Sequence, residues 1–275
     1  MKFLFLAICL TLGNAGFAQY YYNDLLSNQY SNTQFQLIKS NNIKQVNVKS
    51  FDAAGNTAEG FSLTQTFSSG YSNAQTISNT AANVVSVLNT EYKAGKIIAT
   101  SEISKGVETT VRYTYLQDGK LESIVSVTTD TALHYQTTEK HVWQYTGNGK
   151  PVQLIRIKNN TDTTLVNFIT DEQGNIAEEH WRRKGVEVET YFYYYNNKNL
   201  LTDIVRFNKR VQKLLPDFLF DYDTENRMVT LTQIPAASSN YIVWSYSYNP
   251  KGLKQSELCT NRQKEVIAKM EYSYQ

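Results

Sequence analysis

The segment Tyr246-Ser247-Tyr248-Asn249-Pro250-Lys251-Gly252-Leu253 is the clearest copy of a pattern that recurs through the second half of the chain. An anchor residue, here Tyr248, is often followed directly by Asn or Asp, and Gly or Asn stands four positions after it. The anchors lie about 25 to 30 residues apart and are Tyr115, Tyr145, Thr170, Tyr195, Tyr222, Tyr248 and Tyr274. A nearly constant spacing of this length is typical of repeat architectures.

Each copy of the pattern predicts a β-hairpin. The fourth position after the anchor holds residue types that accept a positive φ at the least cost. These residues are Gly119, Gly149, Gly174, Asn199, Asn226 and Gly252. Asp or Asn just ahead of them can bond to the nearby backbone and start the turn. The hairpin loop is therefore predicted to be this Asx-x-x-Gly/Asn stretch and not a two-residue turn.

The residues before each anchor alternate between aromatic and polar types. Because successive side chains of a strand point to opposite faces, positions −4, −2 and 0 relative to the anchor share one face. Sixteen of these 21 positions are aromatic, whereas the intervening positions are mainly polar. We predict a buried aromatic face, which serves stability first, and a wet polar face.

The predicted fold class is all-β, with consecutive antiparallel β-hairpins of about 26 residues forming a curved or spiralling sheet. About 14 to 16 strands would make a ribbon roughly 70 Å wide, and open sheets of that width coil, split or close. We therefore expect a spiralling or barrel-like sheet with its aromatic side inward. Residues 111–275 are predicted to form the regular repeats, in one continuous domain with residues 19–110.

The front half, residues 19–110, is predicted to be an irregular N-terminal cap with degenerate repeats. Phe51-Asp52-Ala53-Ala54-Gly55 fits the turn well, and the stretch from Asn73 to Leu88 allows either a strand pair or a short helix. Tyr20-Tyr21-Tyr22 is expected to cap the open end of the stack, since terminal repeats are usually atypical.

The first 18 residues are predicted to be a signal peptide. Lys2 precedes an apolar run from Phe3 to Leu12, and Ala18 ends a small-residue cleavage motif, so the mature chain is expected to begin at Gln19. The apolar run is too short to span a bilayer, and no other transmembrane segment is predicted. The protein is thus expected to be exported, periplasmic or extracellular, and soluble after cleavage.

Charge and cysteine content exclude nucleic-acid binding and an internal disulfide. A formal charge of +2, without a cluster of basic residues, does not provide the positive surface that nucleic-acid binding requires. Without the leader, Cys259 is the single thiol, so no internal disulfide can form. A small apolar side chain within a strand is favoured over a reactive thiol.

The frame aromatic-x-Tyr-Asp-x-x-Gly-x-Leu resembles the YD repeats of Rhs and teneurin-type proteins, in which successive hairpins form a spiralling β-sheet shell. The likeness covers residues 111–275, with one further copy at 46–57. Tyr222-Asp223 is the only literal Tyr-Asp at an anchor, and Thr170 replaces one aromatic anchor. The resemblance implies the fold, without a toxin domain.

The densest cluster of chemical groups is Glu178-Glu179-His180-Trp181-Arg182-Arg183. On a strand, Glu178, His180 and Arg182 share one face, and the other three residues share the opposite face. A Glu and a His two apart could serve acid-base or metal chemistry, but a second His or Cys at ligand spacing is missing. A solvated polar strand is therefore favoured. His141 occupies an inward position and is predicted to be a satisfied core histidine.

These features predict an exported, non-enzymatic β-repeat scaffold or binding protein of the cell envelope, with no catalytic, cofactor or metal site. Its partner would be an unknown protein or an envelope polysaccharide, bound on the polar face or at an uncapped sheet edge. The alternative is a carbohydrate-binding module that uses exposed Trp and Tyr. A third hypothesis is a hydrolase centred on Glu178 and His180. The candidate ligand-binding residues are Trp181, which lies outside the inward columns, and Glu178, His180 and Arg182.

Overall fold

A computed structural model describes residues 19–80, 84–208, 211–235 and 240–275, so the predicted signal peptide lies outside the described residues. One helical segment precedes the strands: a π-helical stretch, Tyr21–Leu26, continues directly into α1, Ser27–Ser40. The strands are β1 Gln45–Phe51, β2 Ser62–Phe67, β3 Asn73–Asn79, β4 Val85–Lys93, β5 Lys96–Ser104, β6 Val107–Tyr115, β7 Leu121–Asp130, β8 Tyr135–Tyr145, β9 Pro151–Lys158, β10 Asp162–Thr170, β11 Ile176–Arg183, β12 Val186–Tyr195, β13 Leu201–Asn208, β14 Lys213–Tyr222, β15 Met228–Gln233, β16 Ile242–Tyr248, β17 Lys254–Asn261 and β18 Val266–Tyr274.

The strands form a closed antiparallel barrel. Each strand pairs with its neighbours in sequence, and β18 pairs with β1, so that Val46 lies opposite Tyr274 and Val48 opposite Tyr272. The all-β prediction is confirmed, but the sheet closes instead of spiralling open. Closure supplies hydrogen-bond partners to the two strands that would otherwise be edges. The predicted uncapped sheet edge is therefore wrong for the 18 strands that the structure describes.

The aromatic columns line the inside of this barrel, as predicted. None of the 21 side chains at positions −4, −2 and 0 is exposed, and the seven at −4 are all buried. Eighteen strands spaced about 4.8 Å apart give a circumference of roughly 86 Å, hence a diameter of about 27 Å or more. A lumen of that width is too large for wall side chains alone to fill.

The anchor tyrosines also join successive hairpins. The hydroxyl of Tyr195 donates to the carbonyl of Ile176 at 2.8 Å, and that of Tyr222 donates to the carbonyl of Leu201 at 2.8 Å. Tyr145, Tyr248 and the other anchor tyrosines make the same bond to the first or second residue of the strand after the preceding turn. These hydroxyls are therefore satisfied by main-chain carbonyl groups of the neighbouring hairpin.

This bond explains the preference for Tyr over Phe and can be measured. We expect Tyr222→Phe to lower the free energy of unfolding by about 1 kcal/mol, because the Leu201 carbonyl loses its donor. The control is Tyr194→Phe, whose ring points outward and is 47% exposed, and which should change stability by less than about 0.5 kcal/mol. Urea denaturation followed by circular dichroism measures both; equal losses would contradict the assigned role.

The front half continues the same barrel. The stretch from Asn73 to Leu88 is a strand pair, β3 and β4, and residues 81–83 between them lie outside the described part. The turn at Asp52 to Gly55 follows β1, which begins beside the end of β18. It therefore lies at the end of the barrel opposite the anchor turns, and its fit to the repeat frame is only local. We call the end that carries the anchor turns the anchor end, and the other the distal end.

The helical segment runs through the lumen and closes it at the level of the aromatic layer. The Tyr22 ring packs against Phe218 on β14 at 5.3 Å, and Asn32 accepts a hydrogen bond from the Ile97 amide on β5 at 2.9 Å. Since β5 and β14 are nine strands apart in a ring of 18, the segment contacts opposite walls. We call residues 19–40 the plug. The prediction that Tyr20-Tyr21-Tyr22 caps an open end of the stack is wrong.

Candidate functional site in the barrel lumen

On strands β8 to β13, the inward face of the barrel changes from aromatic to charged towards the distal end. Glu139 and Glu189 lie two positions beyond the aromatic columns, and acidic and basic inward side chains form ion pairs between neighbouring strands there. We define the lumen wall as Glu139, Arg156, Asp162, Arg183, Glu189 and Arg206. The Arg183 and Asp162 side chains are 48% and 37% exposed although they point inward, so water reaches this part of the lumen. The predicted dry interior is thus confined to the anchor-end half.

A buried ion network joins the plug to this wall. Asp24 is 1% exposed, and its Oδ2 lies 2.7 Å from His141 Nδ1 and 3.1 Å from Trp143 Nε1. His141 Nε2 lies 2.9 Å from Glu139, which also accepts a bond from Arg156 at 2.6 Å. Burial alone would lower the pKa of His141, but the carboxylates of Asp24 and Glu139 raise that pKa to about 9. The imidazolium form therefore bridges plug and wall, which confirms a satisfied core histidine.

The network makes stability depend on pH. Because the folded pKa of His141, about 9, lies above its ordinary value of 6.5, its stabilisation is complete below pH 6.5 and is lost as the pH rises to about 9. We expect wild type to lose up to roughly 3 kcal/mol across that interval because of His141, whereas His141→Gln should lose markedly less, with the remaining change due to other groups such as Glu179. Denaturant unfolding at several pH values checks this. Parallel pH profiles for the two proteins would contradict it.

Glu179 anchors the beginning of the plug helix. This carboxylate is fully buried and accepts the main-chain N–H groups of Tyr20 and Tyr21 at 2.9 and 3.1 Å. It also accepts the Tyr193 hydroxyl and the Trp181 indole N–H, each at 2.6 Å. Burial raises the pKa of Glu179 to about 7. A carboxylate at the first turn of a helix also complements the helix dipole.

Asp217 holds the residue before the helix. Its Oδ2 accepts a bond from the Gln19 side-chain amide at 2.8 Å, and its Oδ1 accepts one from Arg206 at 3.0 Å. Gln19 is 1% exposed, and its Oε1 is buried without a hydrogen-bond partner. The very beginning of the described chain therefore lies deep in the lumen, between the Glu179 and Asp217 carboxylates.

The predicted site residues fall on two sides of the wall. Glu178, His180 and Arg182 lie on the exterior, where His180 contacts Glu178 at 2.6 Å and Glu187 at 3.2 Å. Trp181 points into the lumen and stacks on Tyr20 with a centroid distance of 4.7 Å. Its expected position outside the inward columns is wrong, because β11 follows a bulge and has its own inward set.

Two other observations concern the described residues. Cys259 is buried in β17, and burial raises its pKa to about 11, as suits a core residue. Across residues 19–80, 84–208, 211–235 and 240–275, no three His, Cys, Asp or Glu side chains are grouped as metal ligands. Over the same ranges, no helix combines the length and apolar character needed to cross a membrane.

Comparisons with known proteins give structural neighbours but no family. No protein-family model matches the chain, and no curated protein is significantly similar in sequence. The crystal structure of a porin-like protein from Bacteroides uniformis is 11% identical with a TM-score of 0.40, covering 85% of this chain and 96% of that chain. The crystal structure of TcdB2-TccC3-Cdc42 is 11% identical with a TM-score of 0.35, covering 78% of this chain. The Photorhabdus luminescens Tc holotoxin pore is 10% identical with a TM-score of 0.31, covering 86%.

The chain spans 12% and 17% of the lengths of those two toxin chains. At such low identity and TM-score, these similarities establish neither a family nor a function. The YD-repeat resemblance therefore stays a prediction.

Proposed function

We propose that the protein is an exported, non-enzymatic binding protein of the cell envelope whose ligand enters the lumen from the distal end. The observation that carries this proposal is the charged, water-accessible lumen wall on the distal side of the plug. Barrel mouths are frequent ligand sites, because the strands hold their side chains rigidly around a concave space. Closure of the sheet removes the alternative of pairing at a free edge.

The wall favours a polar ligand without a large net charge. Its three acidic and three basic side chains balance and are already paired with one another, and Arg206 is also paired with Asp217 of β14. A ligand that offers both hydrogen-bond donors and acceptors can bridge such pairs without leaving a charge unpartnered. Hydroxyl and amide groups meet this requirement.

Carbohydrate recognition is the second candidate, and one observation favours it. The partly buried Trp181 ring faces the lumen with one face covered by Tyr20, and its cross-strand partner is Glu189 of the lumen wall. An indole face beside carboxylate and guanidinium groups suits a sugar ring, which stacks through its C–H groups and bonds through its hydroxyls. Trp143 and Trp244, each 3% exposed, offer no such face.

The test compares the inside of the barrel with the outside. In one assay, the mature protein is titrated with a panel of envelope oligosaccharides. In a second assay, the mature protein carries a C-terminal tag and is used to capture partner proteins from an envelope extract. The lumen variant is Asp162→Asn with Arg183→Gln, an exposed pair whose loss should cost little stability. Its exterior control is Glu178→Gln with His180→Gln. We expect the lumen variant to lose at least about tenfold in affinity. Loss confined to the exterior variant would overturn the proposal and assign binding to the outer polar face.

A further inference from the structure

The buried carboxylates around the start of the plug differ in their charge partners. Asp24 contacts His141, and Asp217 contacts Arg206. Glu179 receives four hydrogen bonds, all from neutral donors, and no ion pair to it is found among the described residues. A carboxylate with no exposed surface and no cation is costly, so this position calls for a positive charge.

The main-chain nitrogen of Gln19 lies near the Glu179 carboxylate. The Tyr20 nitrogen is 2.9 Å from Glu179, and covalent geometry keeps consecutive main-chain nitrogens within about 3.7 Å of each other. The Gln19 nitrogen is therefore within roughly 7 Å of the Glu179 carboxylate. Its side chain meanwhile reaches Asp217 at 2.8 Å. The residue that carries this nitrogen is therefore held close to both buried carboxylates, to Asp217 by its side-chain amide and to Glu179 by the adjoining amide of Tyr20.

Processing would change the chemistry of this nitrogen. While residue 18 is attached, it is a neutral peptide nitrogen; after cleavage between Ala18 and Gln19, it becomes an α-ammonium with an ordinary pKa near 8. We propose that Glu179 and Asp217 form a binding site for the α-ammonium group that leader cleavage creates at Gln19. Removal of the leader thereby completes the attachment of the plug, with no ligand from outside the chain. This inference is independent of any ligand bound at the distal end.

The proposal has a chemical consequence for Gln19. An N-terminal glutamine can cyclise when its free amine attacks its own side-chain carbonyl carbon and releases ammonia. An ammonium held by Glu179 has no lone pair for that attack, and the side-chain nitrogen is held by Asp217. The mature protein is therefore expected to retain an uncyclised Gln19. An intact mass lower by one ammonia would overturn the proposal.

The direct experiment moves the α-ammonium group away from Gln19 and measures whether the effect on stability depends on Glu179. Mature protein that begins at Gln19 is compared with protein that keeps a Gly-Ser-Ala extension before Gln19, each in wild-type, Glu179→Gln and Glu178→Gln backgrounds. Glu178 serves as the matched control because it lies on the exterior of the same strand. Thermal unfolding midpoints are measured at pH 7, and labelling of the α-amine with an amine-reactive reagent is followed by peptide mass spectrometry.

We expect the extension to lower the unfolding midpoint by about 5 °C or more in the wild-type and Glu178→Gln proteins, and by much less in Glu179→Gln. The α-amine of folded mature protein should be labelled far more slowly than in Glu179→Gln. If the extension does not lower the unfolding midpoint of wild type, the ammonium contributes nothing to stability. If it lowers the midpoint of Glu179→Gln by the same amount, the effect is steric. Either result would overturn the proposal. Loss of ligand binding in the lumen variant alters neither readout.

Discussion

Replacing Glu179 by alanine should lower the free energy of unfolding by roughly 3 to 5 kcal/mol, which is a large part of the stability of a typical domain. The substitution leaves the Tyr193 hydroxyl, the Trp181 indole N–H and two main-chain N–H groups of the plug without their acceptor. The bonds from the Tyr20 N–H and the Tyr193 hydroxyl are buried, and the other two are partly buried. Each buried donor left unsatisfied costs about 1 to 3 kcal/mol before relaxation.

Chemical denaturation followed by tryptophan fluorescence measures this loss, and Trp181 reports locally. The matched control is Glu178→Ala, one residue away on the exterior, where a loss below about 1 kcal/mol is expected. Similar losses for the two variants would mean that Glu179 does not fix the plug. The aromatic lining would then stabilise the barrel without it.

Phe35→Ala should cost a similar amount, about 3 to 5 kcal/mol, through a different mechanism. Phe35 lies near the other end of the plug, is 4% exposed, and stacks on Tyr92 of β4 at 3.7 Å. Its removal leaves a cavity between the plug and the wall, because the barrel strands are hydrogen-bonded on both sides and cannot move inward.

Thr33→Ala is the control for Phe35, since Thr33 lies on the exposed side of the same helix and bonds only to Gln29. Its effect should stay below about 0.5 kcal/mol. Increased binding of a hydrophobic dye by Phe35→Ala, and not by Thr33→Ala, would locate the opened cavity next to the aromatic layer. A Phe35→Ala protein as stable as wild type would contradict a packed plug.

Local features of the sequence predicted the wall of the barrel well. The Gly or Asn four positions after each anchor, together with the alternation before it, specified the hairpins and the inward columns. These signals operate within about 26 residues, which is the distance over which patterns can be read directly. On β8 and β12, Glu139 and Glu189 stand six positions before their anchors and mark where the inward face becomes polar.

Long-range features could not be read in the same way. Closure depends on β1 meeting β18, more than two hundred residues apart, and nothing in either strand alone specifies the partner. The plug was missed because residues 27–40 are mostly polar, with Phe35 and Ile38 as their only buried residues. For the candidate site, Glu178 and His180 do contact each other, but on the exterior of the barrel. The buried Glu179 was not among the predicted site residues. Bulges shift the inward set of β11, so alternation counted from the anchors does not extend through the turn.

The closure of the barrel around its plug is tested most directly by a disulfide across the β1–β18 seam. Lys49 and Glu271 are register partners on the exposed outer face, at a separation that a disulfide between adjacent strands can bridge. We predict that the Lys49→Cys, Glu271→Cys variant forms a disulfide spontaneously in the folded mature protein. The disulfide is detected as a change in mobility in non-reducing electrophoresis. Lys49→Cys with Ser256→Cys, one strand further away, should not crosslink. Failure of the first pair to crosslink, with the protein folded, would show an open sheet and contradict the account.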